Sequence, residues 1–210
     1  MSKKLILSAI ICFAIGLAAW AAVSINKEES TAKGWAGDQY EREYSVSIGP
    51  ENAKVTLVEF FDPACEACRA FYPYVKEILA RHPEDVRLVL RYAAFHQGSD
   101  IVIKLLEIAR KQDVFTPVLE ALLKDQNAWA SHHHPNIDKA WEIAEKAGLN
   151  INIAKSEIES ERLSRILKQE NEDIRALKIR QTPTFFVNKT PLEEFGPQQL
   201  YDLVVKEINK

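Results

Sequence analysis

A chain of 210 residues with 47% hydrophobic content is long enough to bury a core and reads as one domain with an appendage or as two small ones. A formal net charge of -3, with no Arg- or Lys-rich run beyond Lys3 and Lys4, speaks against a nucleic-acid partner. Three cysteines are too few for a disulfide-stapled scaffold, and Cys12 lies in an apolar N-terminal stretch, which leaves Cys65 and Cys68 as the only pair.

In chain order, Lys3 and Lys4 precede an apolar run from Leu5 to Val23, close to the ~20 residues that span a bilayer. The positive-inside rule places the two lysines in the cytoplasm and the chain from about Ser24 onward across the inner membrane. Ala19-Trp20-Ala21 also offers an Ala-x-Ala-like cleavage site, so residues 1–23 read as a signal anchor or a signal peptide. The length of the run favours the anchor, and both readings export the rest of the chain to a periplasmic or other extracytoplasmic space. Ile11, before Cys12, is not the small residue a lipoprotein site would carry. Residues 24–45 are polar and poor in large aliphatics; they read as a linker, with Trp35, Tyr40 and Tyr44 available to pack. The folded domain is then expected over 46–210.

Val55 to Phe61 is a short apolar run bounded by Gly49-Pro50 and Asp62-Pro63, which predicts a buried strand. Cys65 opens a helix with Phe71, Val75, Ile78 and Leu79 at helical spacing, ended by His82-Pro83. Val86 to Tyr92 predicts a second strand, making a parallel βαβ unit. From about Ser99 to Ile179 the texture becomes helical. Thr116-Pro117 reads as an N-cap and first helical residue, and a further helix is expected between Asn136 and Gly148. Trp129 and Trp141 read as core of this block. Thr184 to Val187 is a strand, Asn188-Lys189 a turn, Leu192 to Phe195 a hairpin partner, and Gly196-Pro197 the start of a last helix. The fold class is therefore α/β, with a β-α-β half and a β-β-α half separated by a helical insertion over approximately 99–179.

Two cysteines at i and i+3 on the first turn of a helix are close enough for a reversible disulfide. The free N–H groups and partial positive charge there stabilise a thiolate on Cys65, which makes it more ionised and a better leaving group. A disulfide closing so short a loop would stabilise little, so exchange chemistry is favoured over a structural bridge. Glu59 lies on the strand face of Val55, Leu57 and Phe61, six residues before Cys65. A carboxylic acid among apolar neighbours has a raised pKa and is suited to carry protons for Cys68. Arg91, near the end of the second strand, is a candidate partner for Glu59.

On VTLVEFFDPACEAC, Pro73 and TPTFFVN, the chain from about residue 47 resembles the DsbA-like thiol–disulfide oxidoreductases of the thioredoxin superfamily. The resemblance implies a thioredoxin-like fold with a helical insertion, catalytic Cys65 and Cys68, and no cofactor. It also implies that Pro183 is a cis-proline facing the pair and that Thr182 and Pro183 bind an extended substrate strand. An acidic residue at the position of Glu59 belongs to the same pattern. The implied partners are cysteine-containing exported proteins and a redox partner that resets the pair. Glu66-Ala67 departs from the Pro-His and Gly-Pro pairs of the superfamily. Glu66 adds negative charge next to the pair and no histidine is expected to compensate it, which predicts a less stabilised thiolate and a weaker oxidant than a Pro-His member and leaves the direction of electron flow open. The competing reading is a Cu(I) or zinc binding and delivery module in which Cys65 and Cys68 hold the metal and His132-His133-His134 assist. Pro73 and Thr182-Pro183 have no role in such a site, and the histidine run, followed by Pro135, reads as a polar loop.

Overall fold

The computed structural model describes residues 35–210. The signal or anchor segment of residues 1–23 lies outside the described residues. Among the described residues no helix is long and apolar enough to cross a membrane.

The core is a five-stranded mixed sheet of β1 (Val46–Ile48), β2 (Val55–Phe61), β3 (Val86–Tyr92), β4 (Thr184–Val187) and β5 (Thr190–Pro191), in the order β1-β3-β2-β4-β5. β2 and β3 run parallel, with Glu59 opposite Leu90 and Phe60 opposite Arg91. β4 runs antiparallel to β2 on its other side. Near-continuous apolar sequence in β2 and β3 follows from burial on both faces. One face (Val55, Leu57, Val86, Leu88, Phe185 and Val187) packs on α1 (Glu66–Arg81) and α8 (Pro197–Ile208). The apolar stripe of α1 (Phe71, Val75 and Ile78) is buried there, at roughly 2 kcal/mol per side chain. Val58, Phe60 and Val89 on the other face pack against Phe186, Ile174 and Ile179.

Between β3 and β4 lie α2 (Ser99–Lys111), α3 (Phe115–Lys124), α4 (Gln126–Trp129), α5 (Ile137–Lys146), α6 (Ile151–Glu157) and α7 (Glu161–Ala176). α5 starts where expected: Asn136 Oδ1 accepts from Lys139 N at 3.0 Å, and Gly148 takes the left-handed conformation just past its end (φ +109°). Trp129 is fully buried and donates to Leu122 O, whereas Trp141 is only partly buried.

Five expectations need correction. The linker does not extend through residue 45. Tyr44 is buried, Tyr40 sits edge-on against Phe186 at 5.1 Å, and Arg42 makes a bidentate ion pair with Asp173. β1 is an additional strand, paired antiparallel with β3. Arg91 does not meet Glu59. It alternates to the opposite sheet face with Phe60, where its guanidinium binds Glu170 and Asp173 at 2.9 and 2.8 Å. The hairpin partner of β4 is Thr190–Pro191 rather than Leu192 to Phe195, because Asn188 and Lys189 both take positive φ and close a tight two-residue turn. α3 begins two residues earlier than expected, with Val114 as its N-cap.

Candidate redox-active site

The site forms where β2 ends and α1 begins. Cys65 is the N-cap of α1 and uses no side-chain capping bond, so its sulfur lies beside the free N–H groups of the first turn. The turn before it is tied down by Asp62, which is wholly buried. Its Oδ1 accepts from Ala64 N at 2.9 Å and from the Ser99 hydroxyl; its Oδ2 accepts from Phe95 N and His96 N at 2.8 and 3.0 Å and contacts His96 Nδ1 at 2.8 Å. A buried carboxylate with this many donors fixes the loop after β3 against the cysteine turn. From the helical block, buried Gln126 donates its Nε2 to Pro63 O at 2.8 Å and Cys65 O at 3.0 Å.

Cys65 and Cys68 are unbonded, with Cys65 6% exposed and Cys68 fully buried behind it. The Cys65 thiol donates to Thr182 O at 3.2 Å, and Thr182-Pro183 is a cis peptide bond. The structure thus brings Thr182 and Pro183, 117 residues along the chain, to the cysteine pair. Asp62 N donates to Cys68 Sγ at 3.4 Å. A hydrogen bond from Cys68 lowers the Cys65 pKa from its ordinary 9.0 to about 5, against the opposing effect of burial and with help from the Thr182 side chain and the N–H groups of Cys68 and Ala67. Burial, the bond to Cys65 and the charge of Glu59 push the Cys68 thiol in the opposite direction. The two sulfurs are thereby differentiated into a ready thiolate and a retained thiol.

Glu59 is 2% exposed, and its Oε1 has no hydrogen-bond partner. Burial, and secondarily the negative charge at Cys65, raise its pKa from 4.5 to about 8. The histidine run also reaches the site. His132 Nε2 lies 3.0 Å from Glu66 Oε1, and its ring centroid is 5.7 Å from that of His96. Glu66 therefore does have a histidine beside it, one that folding supplies from 66 positions away. Among the described residues no three His, Cys, Asp or Glu side chains converge as a metal-ligand set. A cavity of 610 Å³ lined by residues such as Tyr40, Glu43, Val58 and Lys189 contains none of the site residues.

A sequence model of the family described as Thioredoxin matches residues 41–205. The chain belongs to the thioredoxin family. Its fold is shared with a thioredoxin-like oxidoreductase from Silicibacter pomeroyi DSS-3 (TM-score 0.69, 24% identity, covering 81% of this chain and 95% of that one). Oxidised BdbD from Bacillus subtilis is similarly close (TM-score 0.71, 21% identity, covering 85% and 100%). Alpha-DsbA1 from Wolbachia pipientis is a third (TM-score 0.70, 16% identity, covering 80% and 93%). The thioredoxin fold of this protein is thus DsbA-like, with the six helices between β3 and β4 as its insertion. A stretch of 139 residues, 66% of this chain, is 27% identical to a Na(+)/H(+) antiporter NhaA from Herminiimonas arsenicoxydans, but spans only 21% of that protein.

Sequence inspection missed Asp62, His96, Ser99, Gln126 and the contact of His132. Asp62 had a signal, being a charged residue at the end of an apolar strand three positions before Cys65. Gln126 and Ser99 had none, since their partners lie far away along the chain.

Proposed function

We propose that this family member is an exported thiol–disulfide oxidoreductase acting on cysteine-containing proteins through Cys65, with Cys68 as the resolving thiol. The observation that carries this reading is the asymmetry of the pair: a low-pKa Cys65 at a helix N-terminus beside Thr182 O, and a buried, protonated Cys68 behind it. In the oxidising direction, a substrate thiolate attacks Cys65 Sγ of the 65–68 disulfide. The Cys65–Cys68 bond breaks, a Cys65–substrate disulfide forms, and Cys68 leaves as a thiolate that takes a proton. A second substrate thiolate then attacks the substrate sulfur and expels Cys65 as a thiolate, so the substrate is oxidised by two electrons and the pair reduced by two. Stabilising the departing Cys65 thiolate favours this direction. Run in reverse, the same steps reduce a substrate disulfide, and a redox partner restores the starting state of the pair.

Glu59 is the proton carrier for Cys68 in this scheme. Its pKa near 8 and its burial suit it to deliver a proton as the buried sulfur is released. Thr182 and Pro183 present backbone to an extended substrate segment, as strand addition requires. Export is supported by the apolar run before residue 24 and by similarity to a periplasmic thioredoxin-like protein from Salmonella enterica serovar Typhimurium. If residues 5–23 anchor the protein in the inner membrane, it stays with membranes after a high-salt wash. Recovery in the soluble extract with a new N-terminus near Ala22 would replace the anchor by a cleaved signal.

The test of function is equilibration of the protein with mixtures of reduced and oxidised glutathione, followed by mass analysis of the pair. A single two-electron transition between dithiol and 65–68 disulfide is expected, with transfer of the disulfide to a reduced peptide. Failure to exchange with glutathione or peptide would reject the assignment.

A further inference from the structure

Glu66 follows Cys65 directly and places a carboxylate at the mouth of the site. Its pKa lies below the ordinary range, first through its own backbone N–H and then, against some burial, through His132 and His96. His132 belongs to the segment between α4 and α5, so its approach to Glu66 is a tertiary contact between the helical block and the cysteine turn. Both side chains remain open to solvent, at 60% and 48% exposure, and neither is needed to fill the core. Beside them, His96 is held by Asp62 through Nδ1. Burial works against its imidazolium, but the hydrogen bond and charge of Asp62 outweigh that and raise its pKa. The charged groups facing this pair of rings are Asp62, Glu66 and the Cys65 thiolate, with His133 and His134 on the same segment as His132.

We propose that His132 is a positioning residue for exchange at Cys65: its Nε2, 3.0 Å from Glu66 Oε1, offsets the carboxylate charge beside the thiolate and thereby tunes the redox poise of the pair. This rests on the oxidoreductase reading and assigns the tuning of that site to a loop of the helical insertion. Reducing the 65–68 disulfide takes up two electrons and one proton when Cys65 remains a thiolate and Cys68 becomes a thiol. Any charge that stabilises the Cys65 thiolate stabilises the reduced form and makes the pair more oxidising. Held against the His132 ring nitrogen at 3.0 Å, the Glu66 carboxylate presents less of its charge to the thiolate. With His132 removed, the carboxylate repels the thiolate and the pair becomes more reducing. Because the contact is solvated, the effect is modest and screened by salt.

The experiment compares wild type, His132→Gln, Glu66→Gln and the double variant. It reads the Cys65 thiolate by its ultraviolet absorbance across pH, and the equilibrium constant with glutathione at low and high ionic strength. His132→Gln is expected to raise the thiol pKa by about half a unit and to shift the equilibrium roughly threefold toward the disulfide at neutral pH. Glu66→Gln is expected to shift both in the opposite direction, the double variant to fall between the two, and all shifts to shrink at high salt. A contact that only latches the two segments together would move both single variants the same way, since each breaks the same bond. That result, or no shift in either variant while wild type exchanges normally, overturns the proposal. Absence of exchange in wild type would instead reject the oxidoreductase reading beneath it.

Discussion

Glu59→Gln tests the consequences of burying a carboxyl without a complete set of partners. In the folded protein its pKa is about 8, against 4.5 ordinarily, with burial the larger cause and the Cys65 thiolate the smaller. An acid whose pKa is raised by folding binds its proton more tightly in the native state. It therefore carries no ionisation penalty below about pH 4.5; as pH rises from there to about 8 the carboxyl ionises in the unfolded chain while staying protonated in the folded one, and stability falls. At ~1.4 kcal/mol per unit, the loss is roughly 3 kcal/mol by pH 7, as an order of magnitude. Glutamine carries no such cost, so the stability of Glu59→Gln relative to wild type should grow by about 3 kcal/mol between pH 5 and pH 8. The absolute offset depends on whether the new amide finds partners, because an unsatisfied buried donor costs roughly 1–3 kcal/mol. That offset does not vary with pH, so the slope is the informative quantity. The assay is denaturant unfolding of both proteins in the reduced form at several pH values, repeated for the oxidised form. There the thiolate charge is gone and the slope should be smaller, though still present. A difference that stays flat across this range would refute the burial argument and leave Glu59 an ordinary strand residue. In stopped-flow exchange, the same variant should slow the release of Cys68 while leaving the Cys65 thiol pKa nearly unchanged.

Two further outcomes follow from the same geometry. Cys68→Ala removes the largest contribution to the low Cys65 pKa, so the thiolate absorbance should titrate well above pH 5, whereas Cys68→Ser keeps a donor and should shift it less. Arg91→Met leaves Glu170 without its guanidinium and Asp173 with Arg42 as its remaining ion-pair partner. This should cost about 3–5 kcal/mol by denaturant unfolding near pH 8. The cost should be smaller at pH 5, because Glu170, already raised to about 7 by burial, takes up a proton.

What sequence reveals here follows the range of the interactions. β2, β3 and α1 were legible because apolar runs, turn residues and helical spacing act over a few positions. Thr182-Pro183 was placed opposite the cysteines only through resemblance; no local pattern links it to residues 117 positions away. β1 escaped because three residues carry too little periodicity, and residues 36–45 looked like a tether because their anchors, such as Arg42 to Asp173, span 131 positions. Arg91 shows the limit of guessing a partner by strand proximity. The parallel register sets Leu90, not Arg91, beside Glu59, and one residue of offset sends the guanidinium to the other face. The charge of Glu66 was visible in the sequence. The histidine that contacts it was visible too, but only the fold of the helical block brings the two together.

The most direct test of the central claim is trapping with Cys68→Ser and Cys65→Ser. Each variant is incubated with disulfide-bonded peptide and with extracytoplasmic extract, then resolved without reductant and mapped by mass spectrometry. Cys68→Ser should accumulate mixed disulfides at Cys65, since the resolving thiol is gone, and Cys65→Ser should accumulate none, because Cys68 is buried and protonated. Equal trapping by both variants, or by neither, would contradict the assignment of Cys65 as the exchanging sulfur.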